Sequence, residues 1–181
     1  LLSQLEAALS SHAIQVVQVW DNWKSDQDPV PHLTRIHQIT QLYQVPLLIN
    51  NRWELLQQLP LEGVHFDEVM TDLAMITQNI GRPILVGITL SNDLSPLSQI
   101  DQSLLSYISF CSVFPSPTVH TCTLVDRETL RQVRLHTQLP VFVSGGITLD
   151  NLPQLPEEVY DGVALISGIM QATDAKQAAL D

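Results

Sequence analysis

Short apolar runs alternate with segments of helical period along the whole chain. The strand-length runs are Ile14–Val19, Pro46–Ile49, Gly63–Phe66, Ile84–Ile88, Tyr107–Phe110, Val141–Ser144 and Gly162–Ile166. They are rich in Val and Ile and apolar at successive positions, the pattern of parallel strands buried on both faces. Between them the spacing predicts helices over Leu1–Ser11, His32–Tyr43, Arg52–Leu59, Glu68–Asn79, Asp126–Thr137 and Ile169–Leu180. In the second of these, Leu33, Ile36, His37 and Thr40 fall on one helical face, as a buried stripe does. Asp126 and Asp150-Asn151 are candidate helix starts, and Asp93–Ser98 is a short helical segment after a turn.

Strands alternating with helices predict an α/β fold with a parallel sheet. The sheet is either open and doubly wound or a (β/α)8 TIM barrel. Gly87, Gly145, Gly146 and Gly168 sit at or just beyond strand C-termini, the edge that carries the active site in a barrel. The chain opens on a helix, so the expectation is a TIM barrel whose first strand is missing from the given sequence, with residues 1–181 as one domain. No internal repeat, low-complexity tract or linker is visible.

Composition narrows the function classes. With 45% hydrophobic and 15% charged residues among 181, the chain is too apolar to remain disordered. It lacks both a run of about 18 apolar residues and the basic start of a signal peptide, so a cytoplasmic location without membrane contact is expected. A net charge of −11 argues against nucleic acid, which calls for a basic face. A small anionic ligand is still open, since backbone N–H groups hold phosphate without side-chain charge. Only Lys24 and Lys176 are available to lysine chemistry. Cys111 and Cys122 make neither a disulfide framework nor a metal quartet. Cys111, within a strand, reads as a small buried hydrophobe.

Several local patterns together point to one family. Ala7-Ala8-Leu9 followed by Val17-Gln18-Val19-Trp20-Asp21-Asn22 is similar to a first helix and a V-Q-L-R-E/D-K strand end. Val45-Pro46-Leu47-Leu48-Ile49-Asn50-Asn51-Arg52 matches V-P-L-I-I-N-D-R, and Gly63-Val64-His65-Phe66 matches G-V-H-L. Val113-Phe114-Pro115-Ser116-Pro117-Thr118, Gly145-Gly146-Ile147 and Ala164-Leu165-Ile166-Ser167-Gly168-Ile169 follow in order. In this order and spacing the chain resembles the thiamine phosphate synthase/TenI family over essentially its whole length. The resemblance implies a TIM barrel with one further strand before the first helix. It implies either Mg²⁺-dependent joining of a pyrimidine pyrophosphate to a thiazole phosphate or, in the TenI branch, tautomerisation of the thiazole phosphate. The implied partner is a small phosphorylated heterocycle, with a homodimer left open.

Residue by residue, the phosphate positions of the family are kept and its charged chemistry is not. Gly145, Gly146, Ile166 and Ser167 are expected to offer donors to a phosphate from the loops after the last two strands, although Gly145-Gly146 also suits a plain strand-to-helix turn. Gln18 and Asn50 are candidates to hydrogen-bond a pyrimidine or thiazole edge, joined at the strand ends by Asn51, Thr89, Ser116 and Thr118. Asn50 and Asn51 equally suit a turn and helix cap before Trp53. The family's metal carboxylates fall on Asn51 and Met70, and its lysines on Asn22 and Val119. Mg²⁺ is therefore implied by the family, yet no metal ligand is assigned, since amides and thioethers replace its hard carboxylate donors poorly. Asp67, Glu68 and Asp72 suit a helix start. His120, in a loop, and Asp21 are the acid–base candidates. His65 is expected in the core, and Ser112 stands where the tautomerase branch carries its histidine.

Overall fold

The computed structural model describes residues 1–20, 23–24, 26–115 and 123–181. Seven parallel strands follow one another in chain order through one sheet: β1 (Val17–Val19), β2 (Leu47–Asn50), β3 (Gly63–Phe66), β4 (Leu85–Leu90), β5 (Tyr107–Cys111), β6 (Val141–Ser144) and β7 (Gly162–Ala164). The helices are α1 (Leu2–Leu9), α2 (Val30–Leu42), α3 (Leu73–Ile80), α4 (Arg127–Val133), α5 (Ser167–Met170) and α6 (Ala175–Leu180). This is the α/β, TIM-barrel-like class that the alternation predicts. The chain divides into two compact units, residues 1–65, 75–85 and 166–181 forming one, and 66–74 and 86–165 the other.

In the first unit, β1 pairs with β2 and β2 with β3, with Val17 opposite Leu47 and Asn50 opposite His65. Leu47, Leu48, Ile49 and Val64 are wholly buried. In α2 the expected stripe of Leu33, Ile36, His37 and Thr40 is buried as well. α1 lies against α6, and the Gln4 amide donates to the carbonyl of Ala172 (2.9 Å). In the second unit, β4, β5, β6 and β7 pair in turn, bringing Thr89 opposite Ser109 and Cys111 opposite Ser144. Ile88, Ile108, Phe110, Val141 and Val143 form its core with Leu130 and Val133 of α4.

Four expectations need correction. Burial on both faces holds for β2 and β3, whereas β1 and β7, first and last in the order, have exposed positions. The helix expected over Ile169–Leu180 is two, because the Asp174 carboxylate accepts the Gln177 N–H and starts α6 afresh. The Arg52–Leu59 segment is a short 3-10 helix, Trp53–Gln57, and the Glu68–Asn79 helix starts only at Leu73.

Candidate functional site

In each unit, taken by itself, the candidate polar residues lie at or near the C-terminal ends of strands. In the first unit, β1 and β2 bring Gln18 beside Asn50, whose Oδ1 accepts a hydrogen bond from the Gln18 Nε2 (2.7 Å). Asn50 is fully buried, and an amide held in a sheet interior by a partner is fixed in orientation. Asn51 turns the chain with φ 58° and donates its N–H to the His65 carbonyl (2.7 Å), while the Trp53 N–H returns to the Asn51 carbonyl (2.9 Å). Asn51 is therefore a turn residue, since Asn tolerates left-handed backbone better than most L residues. The His65 ring is buried, as the sequence predicts.

In the second unit, Thr89 of β4 and Ser109 of β5 share a hydroxyl hydrogen bond (3.0 Å). Below them the Tyr107 and Phe142 rings meet edge to face at 5.3 Å. Burial pushes the Tyr107 phenol up, so it stays neutral and offers no general base. Cys111 is only half-buried, against expectation, with its sulfur 3.5 Å from the Ser112 hydroxyl. Ser112 itself is buried and provides no imidazole for proton transfer.

The turn after β6 is tightly constrained. Gly145 and Gly146 have φ 90° and 67°, both in the left-handed region that favours glycine. A side chain at Gly145 would collide with Ser112, and one at Gly146 with the carbonyl oxygens of Phe114 and Pro115. The turn is tied down on its own side. The Phe114 N–H donates to the Gly145 carbonyl (3.1 Å), and the Asn151 Nδ2 donates to the Gly146 carbonyl (2.8 Å). Asn151 also accepts the Thr148 N–H (2.8 Å). Asn151 precedes the short 3-10 helix Leu152–Gln154, the helix start that the sequence predicts, and its side chain also fastens the glycine turn, a role visible in sequence only as an Asn shortly after Gly-Gly. Among the described residues, no protein acceptor takes the N–H of Gly146 or Ile147. Successive backbone donors in a turn form a concavity suited to an anion.

The remaining candidates divide into two groups. Ile166 precedes α5 and is 64% exposed, and Ser167 opens α5 at the surface. Asp21, Ser116, Thr118 and His120 lie outside the described residues. Mg²⁺ fails the test of donor chemistry. Its family positions hold the exposed amide of Asn51 and the thioether of Met70, and no group of three His, Cys, Asp or Glu converges among the described residues. Among the described residues, no helix is long and apolar enough to cross a membrane.

Comparison with known proteins gives a consistent result. The family model described as thiamine monophosphate synthase matches residues 1–169. The thiamine-phosphate synthase of Methanobrevibacter smithii is 27% identical over 175 residues, covering 97% of this chain and 83% of that protein. The thiamine-phosphate synthase of Nitrosococcus oceani is 31% identical over 144 residues, covering 80% of this chain and 66% of that protein. Among solved structures, thiamine phosphate pyrophosphorylase from Pyrococcus furiosus superposes with a TM-score of 0.82 at 20% identity, covering 98% of this chain and 85% of that one. That likeness supports the fold.

Proposed function

This chain belongs to the thiamine monophosphate synthase family, and from that premise we propose that it binds a thiazole phosphate or thiamine phosphate, with the phosphate on the backbone of the Gly145–Gly146 turn. The observation that carries the reading is the turn itself. Two left-handed glycines are packed so closely that neither tolerates a side chain, and the N–H groups of Gly146 and Ile147 meet no protein acceptor among the described residues. Ile166 and Ser167 are proposed, separately, as further phosphate donors. The paired amides of Gln18 and Asn50 suit the edge of a heterocycle, which presents donors and acceptors in one plane. Asn51, Thr89, Ser116 and Thr118 are each proposed as further ligand-binding residues.

The same reading holds that the Mg²⁺-dependent coupling is weak or lost. Developing pyrophosphate charge needs fixed cations or a metal beside it, and the family's carboxylate positions hold Asn51 and Met70 while its lysine positions hold Asn22 and Val119. That loss favours, as a second reading, a non-catalytic phosphate-binding or regulatory relative. A thiazole tautomerase would have to draw its proton transfer from His120 and Asp21, because Ser112 cannot serve as its base. Mixing the protein with thiazole phosphate, pyrimidine pyrophosphate and Mg²⁺ tests the chemistry. Thiamine phosphate should form slowly or not at all, and turnover in the ordinary range of about 1–10³ s⁻¹ would overturn this part. Calorimetric titration with thiamine phosphate tests the pocket, and absence of heat at millimolar ligand would remove the ligand assignment.

A further inference from the structure

Asn92, just beyond β4, makes a two-point contact that the binding set above does not use. Its Nδ2 donates to the Leu124 carbonyl (3.0 Å), and its Oδ1 accepts the Asp126 N–H (2.8 Å). One planar amide thus pairs with the backbone of alternate residues, as a neighbouring strand would. The side-chain amide of Asn or Gln carries its donor and acceptor side by side in one plane, which this pairing requires. Between the two clasped residues, the Val125 N–H donates to the Ser112 carbonyl (2.9 Å), and the Val125 side chain is buried.

Ser112 is the residue against which the glycine turn is built. It is buried, its carbonyl receives Val125, and its side chain fills the space that a side chain at Gly145 would need. The next residues continue the link, with the Val113 N–H on the Ser144 carbonyl (2.9 Å) and the Phe114 N–H on the Gly145 carbonyl (3.1 Å). A continuous chain of hydrogen bonds and packing therefore runs from the Asn92 amide through residues 124–126 to Ser112 and the turn after β6, all within one compact unit.

We propose that Asn92 is a positioning residue for phosphate binding. It clamps the backbone of Leu124 and Asp126, and so fixes Ser112 in the place that gives the Gly145–Gly146 turn its shape. This inference rests on the reading that the turn holds the phosphate. Asn92→Asp keeps the size and the acceptor for Asp126 but sets a carboxylate oxygen against the Leu124 carbonyl. Asn92→Ala removes both bonds.

The test compares thiamine phosphate with thiamine, which lacks the phosphate, by calorimetry on the wild-type chain and on both variants. The wild type should bind the phosphorylated compound more tightly. Each variant should lose about five- to tenfold of that preference, the scale of one or two neutral hydrogen bonds, with its affinity for thiamine unchanged. A general loss of structure would weaken both ligands together and would overturn the positioning role. So would a variant that keeps the full wild-type preference. A wild type that does not distinguish the two ligands would instead overturn the phosphate reading of the glycine turn. Hydrogen exchange supplies a ligand-free readout on the same proteins. The Val125 amide should exchange faster in both variants, and unchanged protection there would overturn the clamp itself.

Discussion

In the stretch holding β2 and β3, Glu62 precedes the glycine that opens β3, accepts the N–H of Leu47 at the start of β2 (2.7 Å) and pairs with His37 of α2 (2.9 Å). In the stretch holding β6 and β7, Asp161 precedes the glycine that opens β7, accepts the N–H of Val141 at the start of β6 (2.7 Å) and pairs with Arg134 after α4 (2.6 Å). The lead-in is also shared, Gln44-Val45-Pro46 in one and Gln138-Leu139-Pro140 in the other. Although no repeat is visible along the whole chain, these two stretches use one device, a carboxylate that satisfies the first donor of a buried strand. Their far ends differ. After β2 the chain turns on Asn51 at φ 58° beside a buried side-chain amide, and after β6 it turns on two glycines that leave backbone donors. The frame is common to both, and the chemistry at its mouth is set by which residue follows the strand.

The largest effect should come from exchanging those mouths. Gly145→Asn places a side chain against buried Ser112, and overpacking of this kind costs about 1–3 kcal/mol. Thiamine phosphate binding should vanish with it. Gly146→Asp should likewise abolish binding, since it adds a carboxylate where the phosphate is proposed to sit. Unchanged affinity in either variant would show that the turn is only a turn.

Next come the carboxylates. Glu62→Ala orphans the N–H of a fully buried Leu47 and also strips buried His37 of its partner, each loss worth about 1–3 kcal/mol. Asp161→Ala orphans the Val141 N–H, but half-exposed Arg134 keeps its bond to the Leu139 carbonyl, so about 1 kcal/mol is expected. Urea unfolding of both variants ranks them, and an Asp161→Ala cost larger than that of Glu62→Ala would break the comparison.

A smaller effect separates the pairs by pH. Burial opposes the charge on Asp161, but hydrogen bonds from Arg134 and Val141 outweigh it and hold the carboxyl below its ordinary range. A lowered carboxyl stabilises the fold above its unfolded value of about 3.9 and loses that contribution as pH falls through the folded one. The Tm advantage of wild type over Asp161→Asn should therefore be full at neutral pH and shrink below about pH 4. An advantage that persists unchanged at acid pH would mean that the Arg134 pair contributes nothing. The smallest change is Asn51→Gly, expected to stabilise by a few tenths of a kcal/mol up to roughly 1 by relieving left-handed backbone, as thermal melting would register.

The element order was legible because strand and helix carry different periods. Leu33, Ile36, His37 and Thr40 reach the core together, and Gly63–Phe66 and Val141–Ser144 match their predicted strands end to end. The family and its glycine turn were legible because short motifs survive in order. Helix ends were less so, as Asp174 starts a new helix inside a continuous apolar pattern. Among candidate site residues, Gln18 and Asn50 were legible as polar positions at predicted strand ends and Gly145 and Gly146 through the family motifs, which also marked where charged groups of the family are absent. Tertiary structure alone decided that Gln18 meets Asn50, that the Asn92 amide binds the backbone of Leu124 and Asp126, and that Cys111 is half-exposed. The physical reason is range. Periodicity and turn chemistry act among near neighbours and are written in the order of residues. A side-chain amide chooses its partner only once folding has brought distant backbone within hydrogen-bond reach.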